Sequence, residues 1–305
     1  MILKMNRKIG WTCFALVAAF LIALPLRGKS LENEKTTLWK VSGNGLERPS
    51  YLFGTYHLLQ ESYVKDNAAI MEAFDECLGV VVEVEIDSLS MMNAMGNMLL
   101  QDGQLSDLFS QEEYNRLATT FGKMTGQSIE PYLGLKPNAV MSALMRTLAS
   151  EMVATLSPTQ GQPLDLYFAS HGRSLGKSIS PLETLDLQMK ILFGSQSPKQ
   201  QAEALTVLLD HTDEVLEMSK KLLLSYLDGD LIALSQLGDD YPEFYNLGID
   251  EKELIDNRNT KWLEQLPILM EKESQFIAVG ALHLVGKNGL IYQLASQGYT
   301  LTPVH

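Results

Sequence analysis

Phe276-Ile277-Ala278-Val279-Gly280-Ala281-Leu282-His283-Leu284 decides the fold, because it repeats the shape of Tyr51-Leu52-Phe53-Gly54-Thr55-Tyr56-His57-Leu58 near the other end of the chain. In each, an apolar, β-like run enters Gly, then two residues, then His, then Leu. Glycine permits a sharp exit from a strand and close backbone approach. The histidine is then held just past the strand's end, the edge where open α/β sheets bind ligands. One Gly-x-x-His carries no information. A pair, each after a β-like run, predicts two strands side by side with their imidazoles brought together.

Working outward, 38–41 and 50–54 read as strands joined by a turn containing Gly43-Asn44-Gly45. The run 80–86 is apolar and β-branched on one face, with Glu83, Glu85 and Asp87 on the other. Further strands are expected at 174–180, 275–279 and 299–303. Helical spacing marks 68–77, 112–124, 137–155, 163–171, 182–193, 198–227, 251–271 and 288–297. The expected class is therefore mixed α/β. A central sheet forms from the N- and C-terminal portions and is flanked by helices, with 88–160 and 182–272 mostly helical. Met91, Met92, Met95 and Met98 fall at helical spacing and read as adaptable core or interface packing.

Lys4, Arg7 and Lys8 precede an apolar run from Ile9 to about Leu26, the pattern of a secretory signal peptide or an uncleaved signal anchor over 1–28. A linker over 29–37 and a folded domain over 38–305 follow. The expected location is the periplasm or cell envelope, either free or attached to the inner membrane through the N-terminal segment. Cys13 lies inside the apolar run, so Cys77 alone remains beyond it, without an internal disulfide partner and placed in an apolar stretch. A net charge of −13 repels phosphate backbones and argues against nucleic acid as a partner.

Imidazole is a common ligand for zinc and other first-row ions. Two histidines alone make an incomplete site, which a carboxylate from Glu83 or Glu85 would complete, leaving a position for water. The remaining histidines have plainer readings: His171 caps a helix end, His211 lies on a charged helical surface, and His305 is terminal. Gly172-Arg173-Ser174-Leu175-Gly176-Lys177-Ser178 is one residue short of a phosphate-binding loop and follows a helix rather than a strand.

Leu38-Trp39-Lys40-Val41 leading to Gly54-Thr55-Tyr56-His57 resembles the opening of the TraB/GumN family, which includes the Tiki proteins. Val80-Val81-Val82-Glu83-Val84-Glu85 is similar to its strand with a functional glutamate. Pro163-Leu164-Asp165, Leu182-Glu183-Thr184 with Gln188, Arg258-Asn259 with Trp262, and Gly280-Ala281-Leu282-His283-Leu284-Val285-Gly286 resemble its later motifs. The resemblance implies a metal-dependent, peptidase-like hydrolase acting on a peptide or protein, with a divalent ion of the manganese, cobalt or zinc type. It implies ligand roles for His57, His283 and Glu83, with Glu85 a second candidate for the catalytic carboxylate. Arg258 would meet an oxyanion or a substrate carboxylate, and Asp165, Glu183 and Asn259 would support the site. The family's relation to haem-binding ChaN-like proteins supplies the alternative, a non-catalytic peptide- or haem-binding protein of the envelope.

Overall fold

β1 (Leu38–Gly43), β2 (Ser50–Thr55), β3 (Gly79–Val82), β4 (Ser178–Pro181), β5 (Gln275–Gly280) and β6 (Tyr299–Val304) form one sheet in the order β4-β3-β5-β2-β1-β6. The structure, a computed structural model, describes residues 34–244, 247–250 and 252–305. The expected signal segment and the start of the linker lie outside the described residues. The last linker residues are built into the domain: Lys35 bridges Asp230, and the Thr36 hydroxyl donates to the Val304 carbonyl at 2.6 Å.

β1 and β2 form an antiparallel hairpin whose turn places Gly43, Asn44 and Gly45 at φ 77°, 48° and 85°. β2, β5, β3 and β4 run parallel, and β6 closes the other edge antiparallel to β1. β5 lies between β2 and β3, so a strand from late in the chain is the centre of the parallel set. Every residue of β2, β3 and β5 is buried, as parallel strands covered on both faces require. On the edge strand β6, Tyr299 and Leu301 point inward while Thr300 and Thr302 face out.

Helices Ala68–Glu76 and Leu164–Ser174 are tied to the sheet by aromatic rings. Phe168 lies 4.9 Å from Phe276 and 5.7 Å from Phe53, and Phe74 lies 5.4 Å from Phe276. Such pairs each add about 0.5–1.5 kcal/mol beyond area burial. Lys177, in the segment that resembles a phosphate loop, donates instead to the carbonyls of Phe74, Asp75 and Cys77 at a helix C-terminus. The helical middle has its own apolar cluster, with Leu117, Phe121, Val140, Leu144, Leu205 and Val215 at its heart. Helix Pro137–Leu156 is apolar and 20 residues long, enough to cross a bilayer, but it lends Val140, Met141 and Leu144 to this cluster.

Several elements differ from expectation. β3 stops at Val82 rather than reaching 86, because a strand buried on both faces cannot carry charges; the chain leaves it where Glu83 finds partners. Residue 174 ends a helix, and β4 begins only at Ser178, after Gly176 turns at φ 76°. The run 198–227 breaks at His211 into Pro198–Asp210 and Thr212–Leu227. The stretch before Arg258 is a π-turn, Lys252–Asp256, with the α-helix beginning at Asn257. The methionine stripe is not core: Met91, Met92 and Met95 are 39%, 69% and 55% exposed, and helix Ser88–Met95 buries only Ala94. His171 does not cap through its ring, which stacks between Phe74 and Tyr167 at 5.4 and 5.1 Å.

Candidate active site

β2 and β5 pair in parallel, with Gly54 opposite Val279 and Thr55 opposite Gly280, so the two motifs leave the same edge one residue out of step. Their glycines do different work. A Cβ on Gly54 would lie 3.0 Å from Ala281 Cα and 3.1 Å from a Leu284 methyl, so its absence lets the second motif pack on the first. A Cβ on Gly280 would lie 3.2 Å from Glu83 Oε1, 3.6 Å from His57 Nε2 and 3.7 Å from His283 Cδ2. The bare backbone of Gly280 is therefore the floor on which both histidines and Glu83 converge.

His57 follows β2 in a loop held by helix Leu164–Ser174: Leu164 N–H donates to Leu59 O, and Gln60 bridges Pro163. This docks Asp165, in the first helical turn, beside the ring. Its Oδ2 lies 2.7 Å from His57 Nδ1, and its Oδ1 accepts from the Thr55 hydroxyl at 3.2 Å. The carboxylate requires Nδ1 to carry the proton, which leaves Nε2 toward the site. Charge attraction from Asp165 raises the His57 pKa to about 9, against a smaller opposing effect of burial, although 64% of the side chain is open to solvent.

His283 lies on the short 3-10 turn Ala281–His283 beneath helix Asn257–Lys272, its ring 4.3 Å from that of Trp262. The Asn259 amide donates to the carbonyls of His283 (3.1 Å) and Asn288 (2.9 Å), so its Oδ1 must accept from His283 Nδ1, 2.7 Å away. The lone pair of His283 is thus on Nε2, where Arg258 NH1 donates at 2.9 Å. Burial drives the His283 pKa down to about 3.

Glu83 is 8% exposed, and its oxygens are all engaged. Oε1 accepts the Gly280 N–H at 2.7 Å; Oε2 accepts from Gln188 at 3.0 Å and Arg258 NH2 at 2.5 Å. Burial pushes its pKa up, but His283, Arg258, His57 and the Gly280 N–H bring it down to about 2. Since His283 is itself neutral near pH 7, Arg258 and His57 are the cations that persist. Arg258 also grips Glu183 through Nε (3.0 Å) and NH2 (2.7 Å), donates NH1 to the Leu254 carbonyl made available by the π-turn, and lies over the Trp262 ring at 4.8 Å.

His57 with Asp165, and His283 with Glu83, Glu183, Arg258 and Asn259, therefore form two hydrogen-bonded groups that meet over Gly280 at the carboxyl ends of β2, β5 and β3. Glu85 stands apart, ion-paired with Arg173 at the surface. The carboxylate beside Glu83 is Glu183, and Gln188 reaches both. Thr55, unremarked in the sequence, is a further partner of Asp165; its position inside the Gly-x-x-His motif was the available signal.

The donors suit a divalent ion in kind. His57 Nε2, a Glu83 oxygen and the Cδ2 edge of the His283 ring gather at Gly280, His283 Nε2 lies 4.0 Å from Glu83 Oε1, and each imidazole is oriented through Nδ1 by an oxygen acceptor, as metal-bound histidines are. In spacing they are not drawn into a closed ligand set: among the described residues no group of three His, Cys, Asp or Glu is arranged as a metal cluster. Arg258 lies against two of the donors.

Fold and site define a mixed α/β protein that gathers histidines, glutamates and one arginine at the carboxyl ends of its parallel strands. The family model described as TraB/PrgY/gumN matches residues 37–303, and the chain belongs to that family. Among curated proteins, it is 26% identical over 313 residues to "Metalloprotease TIKI1" of Danio rerio, covering 86% of this chain and 62% of that protein. It is 24% identical to "Metalloprotease TIKI2" of Danio rerio (88% and 61%) and to that of Xenopus tropicalis (89% and 60%). The chain thus spans about 60% of the length of these relatives. No solved structure gives a significant match.

Proposed function

We propose that this protein is a metal-dependent hydrolase of amide bonds, with His57, His283 and Glu83 as the residues that would hold the ion. The observation that carries this reading is the convergence of those three side chains over the bare backbone of Gly280. The distant Tiki relatives, named metalloproteases, support it.

When bound, a divalent ion supplies Lewis acidity and a water of lowered pKa. The chain's own groups do the rest. Asp165 and Asn259 fix the two rings so that both Nε2 atoms face the site. Gln188 and the Gly280 N–H hold the Glu83 carboxylate, and the Gly280 N–H with the neighbouring cations keeps it ionised in spite of its burial. Arg258, anchored on Glu183, points guanidinium N–H groups at the same space, where they can meet negative charge growing on a carbonyl oxygen. Glu83, assigned to the ion, is not also free to accept a proton from an attacking water, and Glu85 is paired with Arg173 at the surface. The substrate class is a peptide or protein, and the basic-apolar N-terminus supports action in the cell envelope.

The test is metal content by mass spectrometry on purified protein supplied with manganese, cobalt or zinc, beside a His57→Ala, His283→Ala double variant, followed by a peptide-library screen. Near-stoichiometric metal lost in the variant, with cleavage by the wild type alone, is the expected result. No metal in either protein and no cleavage would overturn the reading.

A further inference from the structure

We propose that Arg258 is an internal competitor for the divalent ion, so that metal loading requires its guanidinium to withdraw from His283 and Glu83. The inference rests on the metal-binding reading above.

Arg258 differs in kind from the residues that orient the site. Asp165 and Asn259 touch the histidines through Nδ1, the atom opposite the one a ligand uses, and so do not themselves cover Nε2. Arg258 NH1 touches His283 on Nε2 itself. That nitrogen has one lone pair in the plane of the ring and cannot serve a guanidinium N–H and a metal ion at once. The same guanidinium holds Glu83 through NH2 at Oε2, the oxygen beside the one that faces Gly280, so a single cation touches two of the three proposed ligand residues and competes directly at His283.

Withdrawal need not strand the arginine. Glu183, the Leu254 carbonyl and the Trp262 ring already hold it, none of them is a proposed ligand, and they offer the guanidinium partners as it moves. Its contacts with His283 and Glu83 can therefore break while its anchor holds. The NH1 proton released from His283 then faces the space that a substrate carbonyl would enter. Loading the ion and arming the oxyanion donor become the same displacement.

The experiment is calorimetric titration of the full chain with Mn2+ and with Zn2+, comparing wild type, Arg258→Gln and Arg258→Lys, each checked for folding by circular dichroism. Arg258→Gln removes both the charge and the two-pronged contact and should bind metal roughly tenfold more tightly or better, the scale of a lost charge-assisted hydrogen bond. Arg258→Lys keeps the charge, but one ammonium cannot span His283 and Glu83 while bonded to Glu183, so it too should bind more tightly, by a smaller factor. A residue that merely repels cations would leave the lysine variant at wild-type affinity, and one that supports the ligands would weaken binding in both variants; either result overturns the proposal. If Arg258→Gln does not fold, Arg258→Lys decides alone. Metal bound by wild type with no gain in the folded variants removes only this inference. Absence of metal from every protein removes the metal reading with it.

Discussion

His57 and His283 end the same four-residue motif on adjacent parallel strands, yet they occupy opposite surroundings. His57 is open to solvent and bound to a carboxylate, which raises its pKa to about 9. His283 is 3% exposed, tied to a neutral amide and faced by a guanidinium, and its pKa falls to about 3. A shared motif fixes where the ring leaves the strand. What packs on the ring afterwards fixes its charge: a loop and a helix start for His57, the whole of helix Asn257–Lys272 for His283.

Stability should separate the two most sharply. His283→Ala should cost about 3 kcal/mol, because it strips a buried network of one member and leaves Asn259 and Arg258 unsatisfied. His57→Ala should cost under about 1 kcal/mol, as expected of an exposed pair. Equal losses in urea melts would break the comparison.

Next comes pH, measured on metal-free protein. The unfolded chain protonates His283 near 6.5 while the folded one resists until about 3. This contribution to stability is whole above pH 6.5 and drains as pH falls toward 3. Glu83 adds a loss in the same direction, from 4.5 toward 2. His57 runs the other way: its contribution is whole below 6.5 and drains as pH rises through about 9. Wild-type protein should lose stability on both sides, the acid loss shrinking in a His283 variant and the alkaline loss in a His57 variant.

A narrower test is Asp165→Asn, which should lower the His57 titration midpoint seen by NMR from about 9 back toward 6.5 and leave His283 without a midpoint above pH 4. The smallest expected effect belongs to Glu85→Gln. Its partner Arg173 is at the surface, so stability should stay within about 0.5 kcal/mol and metal affinity should not move.

The parts of the fold visible in the sequence were those written in local pattern. Alternation and apolar runs marked the strands, and the repeated Gly-x-x-His marked the edge they share. Pairing order was not local: nothing between Phe276 and Gly280 says that this strand inserts between β2 and β3. The choice between Glu83 and Glu85 was equally hidden, since their spacing is symmetrical until Gly280, Gln188 and Arg258 reach for one and Arg173 for the other. Helix Leu231–Asp240 falls in the stretch expected to be mostly helical but was not marked as an element of its own; Asp228, Gly229 and Asp230 form a turn before it. Asp230 then caps the helix, whose Leu231, Leu234 and Leu237 are buried. The methionines of Ser88–Met95 had the spacing of core or interface packing, and periodicity alone does not say which; they are exposed and not core.

The placement of β5 also bears on time. A chain that folds as it emerges can close the β1–β2 hairpin early, since those contacts are local. β2 and β3, however, must wait without their shared neighbour until more than 190 further residues have appeared, leaving two unpaired edges exposed meanwhile. Arg258, Gly280 and His283 arrive in the same late stretch. The site therefore cannot assemble piecemeal: the step that completes the sheet also completes the charge network.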